Sequence, residues 1–97
     1  MCTYSTEHVQ LAGSAKGGPG GWRGLGSTTV YFDHPVHAQA LHTLNIDFGD
    51  PAGEPSGRIA LELTAESARE LVSAIQRALG GVPPELLVVP GCQIRNP

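Results

Sequence analysis

Charge is scarce in this chain: Asp, Glu, Lys and Arg together make up 15% of its 97 residues. Only six residues are Lys or Arg, they are scattered, and the formal net charge is −3. A nucleic-acid footprint or an anionic membrane surface calls for clustered cations, so the sequence argues against both kinds of partner. Long apolar runs are missing too, and none approaches the roughly 20 residues of a membrane span. The N-terminus lacks the charged-then-apolar pattern of a secretion signal, which leads us to expect a cytoplasmic protein. Cysteine is limited to Cys2 and Cys92, near opposite ends. In a reducing compartment that pair is not expected to form a disulfide. No Gly-x-Ser-x-Gly elbow and no Cys-x-x-Cys pair occurs. The glycine-rich segment lacks the Gly-Lys-Ser/Thr ending of a phosphate loop.

What remains is apolar for its size. Hydrophobic residues are 40% of the chain. A single domain this short buries a modest share of its surface. Few charges and a small core together predict apolar area that meets a partner, and a homodimer is the expected assembly.

The pattern along residues 1–97 reads as one α+β domain. Residues 3–12 suit a first strand, being rich in Thr, Tyr and Val. Seven of the fifteen residues 13–27 are glycine, which predicts a flexible loop. Residues 28–34 alternate, with Thr28, Val30, Phe32 and His34 on one face and Thr29, Tyr31 and Asp33 on the other. Residues 42–48 alternate likewise, with His42, Leu44, Ile46 and Phe48 opposed to Thr43, Asn45 and Asp47. After a turn-rich stretch at 49–57, residues 58–63 form a fourth strand with Ile59, Leu61 and Leu63 on one face. Thr64 then caps a helix of about 15 residues, whose Ala68, Leu71, Val72, Ile75 and Leu79 repeat at helical spacing. Gly80 and Gly81 stop it, and Pro83 and Pro84 prevent its resumption. The tail 83–97 holds Leu86, Leu87, Val88 and Val89, an apolar run suited to an edge strand or one exchanged with a partner. The expected fold is therefore a two-layer α+β domain. It has a four- to five-stranded antiparallel meander sheet and one C-terminal helix on the face carrying Val30, Phe32, Leu44, Ile46, Phe48, Ile59, Leu61 and Leu63.

Three of the four histidines, His34, His37 and His42, fall within nine residues at the junction of two strands. In a meander the same sheet edge gathers Cys2, Tyr4, Asp33 and the helix start with Thr64, Glu66 and Ser67. Parity turns His34 and His42 to the core side, with His37 in the loop between them. Imidazole binds transition metals and moves protons near neutral pH. His34, His37 and His42 therefore suit acid–base work on a small organic ligand, with Asp33, Cys2 and Tyr4 as helpers. They also suit a three-nitrogen site for a divalent transition metal such as zinc, with Cys2, Asp33 or Glu66 as a fourth ligand or orienting group. Against these stands the plain reading that strand-end histidines are hydrogen-bonded rim residues. Cys2 would also be a nucleophile beside a free α-amine if Met1 were removed. His8 reads as a solvated strand residue, and Trp22 as a ring docked on the sheet edge. A non-catalytic homodimeric accessory subunit, presenting surfaces only, is a third class of function.

The opening Met1-Cys2-Thr3-Tyr4, the segment Thr29-Val30-Tyr31-Phe32-Asp33-His34-Pro35-Val36-His37-Ala38 and the segment from His42 to Phe48 resemble a family of small uncharacterised actinobacterial proteins. The likeness runs over residues 1–82 and leaves out the tail. It implies a cytosolic bacterial protein of specialised metabolism and transfers no catalytic role to any residue.

Overall fold

The structure, a computed structural model, describes residues 4–18, 21–37, 39–49 and 58–87. Strands β1 (Ser5–Gln10), β4 (Ser27–Asp33), β5 (Thr43–Phe48) and β6 (Ile59–Leu63) form one antiparallel sheet in the order β1-β4-β5-β6. This is the α+β sheet the alternation predicts. Direct partners across the ladders share a face, and the registers Phe32↔Leu44, Val30↔Ile46, Leu44↔Leu63 and Ile46↔Leu61 gather the apolar residues on one side. Registers Tyr31↔Asn45 and Asn45↔Glu62 gather polar residues on the other.

The glycine-rich segment is not a featureless loop. Strands β2 (Ser14–Gly18) and β3 (Gly21–Gly24) pair as a hairpin with a bulge near Lys16. Two backbone bonds, Leu11 N–H to Gly26 O and Leu25 N–H to Gly13 O, lead the β1–β4 ladder into it. Because β1 and β4 already hold the chain ends antiparallel, zipping the residues between them adds little closure entropy. Gly21 supplies the positive φ of 77° that the hairpin needs. A Cβ on Gly17 would lie 3.3 Å from Ile59 Cδ1, so glycine lets β2 settle onto the apolar face at β6. Arg23 Nη2 donates to Phe48 O at 3.4 Å on the same side. Trp22 points outward and is exposed rather than docked.

Helix α1 (Ala65–Gly80) starts where the sequence predicts, with Thr64 Oγ1 accepting from Ser67 N–H at 3.1 Å. Thr64→Ala is expected to lower stability by about 1 kcal/mol in urea unfolding, and Thr64→Ser by far less. The Gly81 and Val82 N–H groups close the end on Arg77 O and Leu79 O. Residues Pro84–Leu87 then form a one-turn helix, α2, and not the start of a strand. Proline at a first helical position has its φ preset and gives up no bond there. Any strand at Val88 and Val89 lies outside the described residues.

Helix α1 lies over the apolar face but barely touches it. Leu71, Val72, Ile75 and Leu79 remain 41–54% exposed. Leu71, Val72 and Ile75 face Val30, Leu44, Ile46 and Leu63 across a groove of about 370 Å³. Among the described residues no hydrophobic side chain is fully buried, and the buried side chains are Thr28, Thr43 and Asn45. The predicted two-layer core is thus laid out but open in a single chain. None of the helices is long and apolar enough to cross a membrane among the residues described.

Candidate functional site

Strand β4 ends at Asp33 because its carboxylate turns back to take the next amide. His34 N–H donates to Asp33 Oδ1 at 2.6 Å, which breaks the extended repeat. The alternation that would send His34 to the core side therefore stops one residue early. His34 lies at the rim where the two sheet faces meet. Its ring stacks on His42, with centroids 4.6 Å apart and planes 24° from parallel. His42 in turn stacks on Phe32 at 5.7 Å, and Tyr4 meets both rings at 5.7 and 6.1 Å. His42 is therefore on the apolar side, as its parity predicts. Tyr4 is largely exposed.

Residues 34–37 cross to the polar face instead of arching over the edge. The agent is Glu62 on β6, whose carboxylate accepts from Val36 N–H and from His37 N–H, the latter at 2.9 Å to Oε1. Two backbone donors on one carboxylate make a charge-assisted clamp. Under this bridge lies a groove of about 520 Å³, lined by Tyr31, His34, His37, Asn45, Arg58 and Glu62, with Val36, Ala60 and Leu61 supplying apolar wall. Arg58 pairs with Asp47 through two hydrogen bonds. That bonding, and then the Asp47 charge, hold the guanidinium above its ordinary pKa. Asn45 in this lining is buried and is held by buried Thr43, whose Oγ1 donates to Asn45 Oδ1 at 2.7 Å.

The histidines are thus divided. His34 and His37 line the polar groove, while His42 backs His34 from the apolar side. The His34 and His42 rings stack nearly parallel and are not both part of the groove lining. No group of three or more His, Cys, Asp or Glu side chains is set to hold a metal among the described residues. Cys2 and Cys92 lie outside the described residues. Asp33 acts on the backbone of His34, and His8 Nδ1 bonds Thr29 Oγ1 across β1 and β4 at 3.3 Å.

Parity places His42 on the apolar side, as found, but does not hold for His34, which lines the polar groove with the loop residue His37. Alternation puts Tyr31 and Asn45 on the face opposite the apolar residues, and nothing in the pattern singles out either of them. The usable signal was Glu62, an acid directly following the apolar Leu61 on a strand beside the histidine loop. Arg58 had no such signal.

The chain belongs to a family of unknown function, DUF6295, whose model matches residues 1–88. That extends the likeness to an uncharacterised small-protein family from residue 82 through α2. No curated protein and no solved structure matches the chain.

Proposed function

We propose that this protein binds a compact polar organic molecule in the groove on the polar face of the sheet, with His34 and His37 at its mouth. The observation that carries the reading is the Glu62 clamp on the Val36 and His37 amides. It roofs a concave site whose lining mixes hydroxyl, imidazole, amide and guanidinium groups with a little apolar wall. Imidazole in such a place also supports proton transfer, so a transformation of the ligand fits the same groove. The reading includes a homodimer, supported by the half-exposed stripe of α1 and the open apolar groove behind it. A cytoplasmic setting belongs to the same proposal.

A library of small polar fragments screened by ¹H–¹⁵N NMR is expected to move resonances of Tyr31, His34, His37, Asn45 and Glu62 while leaving Glu66 and Glu70 of α1 unmoved. Hits confined to α1, or none in the groove, would overturn the reading. The metal reading makes a different forecast. Zinc titration of untagged protein would then shift the His34, His37 and His42 rings together at a simple stoichiometry, through a rearrangement that unstacks His34 from His42.

A further inference from the structure

Two groups in this groove have each lost one half of their hydrogen-bonding capacity to the protein. The first is Asn45. It is 5% exposed, and its Oδ1 already accepts from Thr43 Oγ1 at 2.7 Å. What the amide has left to offer is its donor end, Nδ2, and Asn45 lines the groove. Nδ2 is not itself sealed from solvent, so its N–H groups stay available in the groove, where a ligand carbonyl can accept from them.

The second is His34. Its Nδ1 lies 3.0 Å from Leu41 O. A carbonyl oxygen only accepts, so Nδ1 carries a proton, and in the neutral ring Nε2 holds the lone pair. Stacking on His42 fixes the ring plane as well. His34 therefore presents an oriented acceptor to the groove it lines.

Asn45 pairs with Tyr31 across the ladder. Strand β4 runs on from Tyr31 to Asp33, about 7 Å, before the chain turns at His34 on the rim. The two groups thus meet opposite ends of one ligand and not a single edge. Building on the proposed binding groove, we infer that its ligand class is a compact molecule with a carbonyl-type acceptor at one end and a hydroxyl or N–H donor at the other. The acceptor takes the Asn45 Nδ2 proton, and the donor gives its proton to His34 Nε2 in a hydrogen bond. No bond to carbon is made or broken in this recognition.

The test compares 4-hydroxybenzamide, which has both ends, with 4-methoxybenzamide, which keeps the carboxamide and lacks the hydroxyl donor at the far end. Titration followed by NMR reads the Asn45 side-chain NH₂ signals and the His34 ring. Wild-type protein is expected to bind the hydroxy compound at least about tenfold more tightly, with both signals moving. His34→Phe keeps a ring to stack on His42 and removes Nε2. It should bind the two compounds equally while its Asn45 NH₂ signals still respond. Equal binding of both compounds by wild type, or selectivity that survives in His34→Phe, overturns the inference. If neither benzamide binds but other fragments shift the groove residues, the donor–acceptor assignment falls and the groove reading stands. If no fragment shifts them, both fall.

Discussion

Replacing Val72 with Asp is expected to convert a two-chain species into a one-chain species in sedimentation at micromolar concentration. Val72 is 54% exposed in the single chain, and it lies between Leu71 and Ile75 on the stripe facing Val30, Leu44, Ile46 and Leu63. The sheet supplies apolar residues to that groove, the helix supplies its stripe, and the two do not close on each other. A protein of this size has little stability to spare for an unfilled core. Packing a second copy against α1 completes that core in the proposed dimer. A carboxylate at position 72 would then sit unpaired in an apolar contact, at a cost of at least about 3 kcal/mol, or more than about a hundredfold in Kd. Glu70 lies on the opposite side of α1 by helical spacing. Glu70→Gln should therefore leave the mass unchanged. A two-chain mass for Val72→Asp would remove α1 from the interface, and a one-chain mass for the unsubstituted protein would remove the dimer.

The same open packing shows which parts of the structure were legible in the sequence. Alternation over residues 28–34 and 42–48 is clean, and the registers Phe32↔Leu44 and Val30↔Ile46 follow directly from it. The Thr64 cap and the 3.6-residue stripe of α1 are equally local signals, and both are met. The hairpin of β2 and β3 was hidden because glycine has no strand propensity of its own. The pairing comes from chain ends that β1 and β4 bring together, which is information at a distance. The course of residues 34–37 was hidden for the same reason. It depends on a carboxylate 26 residues from Val36 in the chain. Parity is valid only while the backbone stays extended, and the Asp33 side chain ends that at His34. So the rim position of the histidines is legible from local pattern, while the groove that His34 and His37 line depends on one long-range acceptor.

That acceptor is the most sensitive point in the proposed site. Glu62→Ala is expected to release residues 34–37 from the polar face and abolish fragment binding in the groove, with the sheet intact. Asn45↔Glu62 register keeps position 62 on the ladder whatever its side chain, so the backbone of β6 has no reason to shift. What disappears is the charged acceptor for the Val36 and His37 amides. A hydrogen bond to a charged group contributes about 1.5–3 kcal/mol, and solvent access at this exposed loop puts the present pair at the lower end. Either value is enough to raise the hydrogen-exchange rate of the two amides by about tenfold or more. Glu62→Gln keeps one oxygen and loses the charge, so it should exchange at an intermediate rate and retain weakened binding. Unchanged exchange at Val36 and His37 in Glu62→Ala would show that something other than this carboxylate holds the roof. Fragment binding that persists with the amides released would show that the groove does not need its roof.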